Sequence, residues 1–170
     1  VFITAKTESG LFYGLQTLKQ LLLQTDGKIP YTEIVDYPRF SYRGYMLDCG
    51  RYFYTVDDVK KVIDLMALHK LNKLHWHLTE DQGWRIEIKK YPLLTQKGSS
   101  RNHTNFNHKP HGGYYTQKEI KEIVKYCHDR KIKVIPEFDI PGHSVAAISC
   151  YPELSCLNRK LEVATHWGVK

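Results

Sequence analysis

Three segments of this chain run from apolar residues into acids, imidazoles and an arginine. They are Tyr45-Met46-Leu47-Asp48-Cys49-Gly50-Arg51, the run from Leu74-His75-Trp76-His77 through Leu78-Thr79-Glu80-Asp81-Gln82-Gly83-Trp84-Arg85, and Lys133-Val134-Ile135-Pro136-Glu137-Phe138-Asp139-Ile140-Pro141-Gly142-His143. In an α/β protein, a strand whose C-terminal end turns ionisable delivers side chains to a site. Arg51 carries a fork of donors that can grip two adjacent hydroxyls. Trp84 can stack on a sugar face or pin its own loop. Glu80 and Asp81 are neighbours on an extended chain and point apart. One of them is expected to reach a ligand or orient a histidine while the other caps a loop. Asp139 leaves the third segment toward the rim, Pro141-Gly142 turns the chain, and His143 can come back over the site. An imidazole there can tune a proton donor by hydrogen bonding. His75 and His77 share one face of a strand and could hold a metal, with Asp139 and His143 as further candidates. A catalytic zinc takes three protein ligands and an open position, and no HExxH pattern is present.

The elements that must position these groups follow from periodicity. Tyr42 to Cys49, Lys73 to Thr79 and Lys133 to Ile140 read as strands. Thr55 with Asp58 opens a helix whose apolar stripe is Val59, Ile63, Leu65 and Met66. Thr116 with Glu119 opens a second, Ile120 to Arg130, with Ile120, Ile123, Val124 and Cys127 inward. Arg43, early in the first strand, is expected to make a structural ion pair. Ile86 to Tyr91 reads as a short extended piece, and Pro92 to His111 as a long polar loop. Upstream, Val1 to Thr4 reads as the end of a strand. Leu11, Leu15, Leu18 and Leu22 recur at helical spacing, Asp26-Gly27 is a turn, and Ile29 to Asp36 is extended. The stiff Tyr37-Pro38 junction marks a boundary, dividing residues 1–37 from 38–170. Strands alternating with helices imply parallel pairing through crossovers. Long connections after the strands and short ones after the helices suit a (β/α) barrel with its site on the strand C-terminal side.

Composition narrows the class. The chain has 170 residues, 42% hydrophobic and 25% charged, which is globular rather than disordered. Its net charge of +7 is spread over helix faces (Lys60 and Lys61 on one; Lys118, Lys121 and Lys125 on another), so no nucleic-acid footprint is expected. No apolar stretch approaches the ~20 residues needed to span a bilayer, and no signal peptide is visible. A first residue of Val rather than Met reads as N-terminal truncation. Without a CxxC, neither a zinc knuckle nor a redox pair is indicated. Cys49 and Cys127 read as small core residues. Cys150 and Cys156 are close enough in sequence to be bridged.

Taken together, the runs Asp48 to Phe53, Lys70 to Arg85 and Pro136 to His143 resemble the family 20 glycoside hydrolases, the β-N-acetylhexosaminidases. Three long motifs in the right order carry the resemblance through the whole chain. It implies an α/β fold: the end of a small α/β domain over residues 1–37, then the first three strands of an incomplete (β/α)8 TIM barrel over 38–170. It implies removal of terminal non-reducing β-linked N-acetylglucosamine or N-acetylgalactosamine, with N-acetylhexosamine-terminated glycans as partners and no cofactor or metal. Catalysis would be substrate-assisted, one of the exceptions to the two-carboxylate scheme. By position, Arg51 resembles the arginine that holds ring hydroxyls. Glu80, Asp139 and His143 resemble a network behind the general acid. Glu80 stands where the commonest pattern has aspartate and is one methylene longer. The catalytic Asp-Glu pair follows a His-x-Gly-Gly stretch at barrel strand four; no Asp-Glu dipeptide occurs here. Val163 to Lys170 reads as the approach to that strand. The isolated chain is therefore expected to be inactive and, with an uncovered edge strand, prone to aggregate. The substrate class implies a periplasmic, secreted or lysosomal setting. Two alternatives remain: a metal-dependent barrel hydrolase using His75 and His77, and a non-catalytic glycan-binding protein keeping Arg51 and the aromatics.

Overall fold

Gly44–Asp48 (β1), Lys73–His77 (β2) and Lys133–Glu137 (β7) pair in parallel, with β2 in the centre. The computed structural model describes residues 1–156 and 159–166. Between β1 and β2 runs helix Val56–Leu68 (α2). Between β2 and β7 come the hairpin Thr79–Glu80 (β3) and Gly83–Trp84 (β4), a short helix Leu93–Gln96 (α3), the pair Ser100–Arg101 (β5) and His111–Gly112 (β6), and helix Gln117–Asp129 (α4). Helix Glu8–Gln24 (α1) precedes the sheet; Val145–Cys150 (α5) and a 3-10 turn follow it. Parallel strands joined by crossover helices make this α/β, the arrangement expected of the first three strands of a (β/α)8 barrel.

Alternation along the strands separates packing from chemistry. Leu47, Leu74, Trp76 and Leu78 face α2 and α4 and join Val59, Ile63, Met66, Ile123 and Cys127 in the main core. The opposite face carries Asp48, His75, His77 and Glu137. Both crossover helices start in capping boxes. Thr55 and Asp58 exchange bonds at α2, and Thr116 and Glu119 do so at α4. Each cap of this kind contributes about 1 kcal/mol, so the helices begin where the strand connections need them. No helix among the described residues is long and apolar enough to cross a membrane.

Several expectations need correction. Leu65 and Val124 are exposed. Leu65 lies two residues past Ile63, about 200° round a helix, and Val124 lies on the flank of α4 rather than its inward face. Helix α1 is turned so that Phe12, not the leucine stripe, packs on the main core. Leu11, Leu15 and Leu22 are exposed. Gln20 donates to the Leu68 carbonyl instead, tying α1 to α2. Val1 to Thr4 forms no strand, and Ile29 to Asp36 joins no sheet. Ile86 makes one bridge, to Tyr115, in place of a strand. The stretch from Pro92 to His111 contains α3 and the β5–β6 pair rather than loop alone. Arg43 bonds the Lys70 and Phe40 carbonyls rather than a carboxylate. Cys49 and Cys127 are fully buried, while Cys150 and Cys156 are free thiols. Val163 and Ala164 are buried, with the Ala164 amide donating to the Asp81 carbonyl. Residues 167–170 of the expected approach to a fourth strand lie outside the described residues.

Candidate active site

The register of the sheet builds the site. Asp48, His77 and Glu137 are direct partners across β1, β2 and β7, so three polar side chains stand in a row at the strands' C-terminal ends. Above them β3 carries Glu80, which is 1% exposed. A carboxylate that deep requires partners, and it has them. Its Oε1 meets the Arg51 guanidinium, lies 2.8 Å from Nδ1 of His143, and lies 3.8 Å from Nε2 of His77. Its Oε2 accepts the Asp81 amide at 2.7 Å.

Arg51 follows β1 in a turn that Asp48 closes. Asp48 Oδ1 accepts the Arg51 amide at 3.0 Å and Oδ2 accepts Nη1 at 2.6 Å. Burial works against the guanidinium's charge, yet Asp48 and Glu80 outweigh it and hold Arg51 above its ordinary value. Gly50 makes the close approach possible. A Cβ there would lie 2.8 Å from Cβ of Glu80 and 3.1 Å from Cδ2 of His77, tighter than packed atoms allow.

His143 arrives from the turn after β7. It holds a left-handed backbone conformation, φ 55°, which costs a non-glycine residue about 1 kcal/mol or more. Ser144 Oγ bonds the Asp139 and Gly142 carbonyls and fixes that turn. Asp139 receives its position from Thr79, whose hydroxyl accepts the Asp139 amide at 2.9 Å. Its Oδ2 lies 4.0 Å from Nε2 of His143. Arg51, Glu80, His143 and Asp139 thus form one connected group.

Glu80 ends β3 and Asp81 begins the turn that follows, so the two acids are not held apart as on an extended chain. Asp81 accepts the Val145 amide at 2.9 Å, holding the start of α5, yet its carboxylate stays within 4.8 Å of the ligand atoms of Glu80 and His143. Trp84 donates its indole N–H to the Ile86 carbonyl at 2.7 Å and packs toward Phe138. These are the contacts of a side chain that pins its loop. His75 and His77, the metal ligands of the alternative reading, are both engaged by one carboxylate. Both meet the same oxygen of Glu137, His75 by a hydrogen bond and His77 through Nδ1 at 2.9 Å. Among the described residues two groups bring ligand atoms within 4.8 Å of one another, His77 with Glu137 and Asp139, and Glu80 with Asp81 and His143; His75 belongs to neither.

Two contributors carried no individual signal in the sequence. Glu137 sits mid-motif and looks like any strand glutamate; only the parallel register sets it against two imidazoles. Burial pushes its carboxyl up, but the imidazoles outweigh that and leave it below its ordinary value. Arg85 is fully buried and donates to the carbonyls of Cys49, Gly50, Gln82, Ser99 and Gly113. Burial lowers its pKa to about 10. It is the clasp that fixes the end of β1, and with it Arg51, to the loops beside β3 and β6.

The model of the glycosyl hydrolase family 20 catalytic domain matches residues 40–170, and that of the family's domain 2 matches residues 1–37. A β-hexosaminidase of Porphyromonas gingivalis is 49% identical over 179 residues, a match covering 100% of this chain and 23% of the relative. A β-hexosaminidase of Vibrio furnissii is 46% identical, over 89% of this chain and 26% of its own. The chain thus spans about a quarter of the length of either. Among solved structures, the Vibrio harveyi exo-β-N-acetylglucosaminidase in complex with N-acetylglucosamine aligns with a TM-score of 0.78 at 40% identity, over 88% of this chain and 25% of that one. A crystal structure of a β-N-acetylhexosaminidase aligns with a TM-score of 0.92 at 42% identity, over 98% and 36%. By sequence along almost its whole length and by backbone, the chain belongs to glycosyl hydrolase family 20.

Proposed function

We propose that this chain is the sugar-holding wall of a β-N-acetylhexosaminidase, which removes terminal non-reducing β-linked N-acetylglucosamine or N-acetylgalactosamine from glycans. The observation that carries the reading is the meeting of Arg51 and His143 on one oxygen of the buried Glu80. Arg51 has a planar fork of donors, fixed from behind by Asp48 and Glu80, and offers it to vicinal ring hydroxyls. Glu80, His143 and Asp139 form the support behind a general acid supplied from outside these residues, and Trp84 holds the adjoining hairpin. Residues 1–37 and 38–170 are assigned to two domains, the second catalytic.

In the chemistry proposed for the whole enzyme, the substrate's acetamido oxygen attacks the anomeric carbon as an acid protonates the departing oxygen. Water then opens the oxazolinium intermediate with net retention. The contribution of this chain is binding and orientation.

Turnover of a chromogenic N-acetyl-β-glucosaminide by the full-length protein tests the proposal. Cleavage that survives a chelator and falls on Arg51→Ala, chiefly through a raised KM, is expected. Loss of turnover on chelation would favour a metal at His77, Glu137 and Asp139. No cleavage of any N-acetylhexosaminide would leave glycan binding without catalysis.

A further inference from the structure

We infer that Glu137 is a positioning residue, which acts through the His77 imidazole to hold the carboxylate of Glu80 where Arg51 and His143 can use it. The inference rests on the proposed function and extends it one layer beneath the site. His77 is 3% exposed and is wedged between two carboxylates. Its Nδ1 lies 2.9 Å from Glu137 Oε2 and its Nε2 lies 3.8 Å from Glu80 Oε1. The partner of one ring nitrogen decides the tautomer and orientation of the other. Glu137 therefore sets which atom His77 turns toward Glu80.

The β1 backbone closes a further side of the wedge. A Cβ on Gly50 would lie 3.1 Å from Cδ2 of His77, so the β1 backbone already abuts the ring. The hydrogen bond from His75 to the same Glu137 oxygen holds that carboxylate from below. Without Glu137, the imidazole keeps its packing but loses the contact that fixes its rotation about the ring axis. Glu80 then loses one of the three groups that crowd its Oε1.

The test uses the full-length protein with Glu137→Gln, Glu137→Asp, Glu80→Gln and the Glu137→Gln/Glu80→Gln double replacement. On a chromogenic N-acetyl-β-glucosaminide, Glu137→Gln is expected to lower kcat/KM roughly 10- to 100-fold, the scale seen when a partner behind a metal-bound histidine is removed. Glu137→Asp should recover part of the loss. The two Gln replacements should not multiply in the double variant, because they act through one imidazole; losses that multiply would overturn the inference. Histidine ring 15N spectra, with His77 assigned by its replacement, give an independent readout. Glu137→Gln should move both His77 ring nitrogens, and unchanged signals would overturn the inference. An inactive wild type would count against the proposed function, and the ring spectra would then decide the role of Glu137 alone.

Discussion

Nδ1 of His143 lies 2.8 Å from Oε1 of Glu80, the same oxygen that the Arg51 guanidinium meets. One buried carboxylate therefore fixes a group from the end of β1 and a group from the turn after β7. Replacing Glu80 by Gln removes the charge while keeping the size. Hydrogen bonds to charged groups contribute about 1.5–3 kcal/mol each, so kcat/KM of the full-length enzyme should fall roughly 10- to 100-fold. The signature is a raised KM, because Arg51 loses its ion pair with Glu80. Steady-state kinetics check it; an unchanged KM would separate Glu80 from sugar binding.

Gly50 is the contact point between β1 and Glu80. Gly50→Ala would bring a methyl group to 2.8 Å from Cβ of Glu80, and Glu80 is too buried to step aside. Overpacking of this kind costs about 1–3 kcal/mol. The urea midpoint should drop, and sugar affinity should drop with it, since the displaced side chain is the one that holds Arg51.

Arg85 donates to five backbone carbonyls and, among the described residues, forms no salt bridge. Lysine has one compact donor head in place of a fork. Arg85→Lys should leave at least two carbonyls unpaired, at about 1–3 kcal/mol for each buried orphan. Chemical denaturation should show a loss of about 2 kcal/mol or more.

His111 accepts the Phe53 amide at 2.8 Å and stacks on Tyr52 beside Arg51. Burial, helped by Arg85 and Arg101, lowers its pKa from 6.5 to about 4. Between those values the unfolded chain binds a proton that the folded chain does not. Stability therefore rises with pH across this window and falls as pH drops below 6.5. His111→Gln should flatten that part of the profile. Urea midpoints at pH 4.5, 5.5 and 6.5 for both proteins measure the difference; parallel curves would show that His111 does not contribute.

The sequence is legible where the physics is local. The Thr55–Asp58 and Thr116–Glu119 boxes cap both crossover helices, and the apolar-to-ionisable runs give all three parallel strands. The convergence of Arg51, Glu80 and His143 follows from those strands being parallel neighbours. Glu137 and Arg85 carry no local signal because their roles depend on register and on backbone carbonyls far apart in sequence. The stripe on α1 misled for a related reason. Periodicity gives an apolar face but not which neighbour covers it, and Phe12 took the core-facing position.

The most direct test of the sugar-holding wall is a crystal structure of the full-length protein with N-acetylglucosamine. The guanidinium of Arg51 should lie at about 3 Å from ring hydroxyls, with Glu80 and His143 still joined behind it. A sugar bound with Arg51 turned away, or with Glu80 separated from His143, would contradict the account.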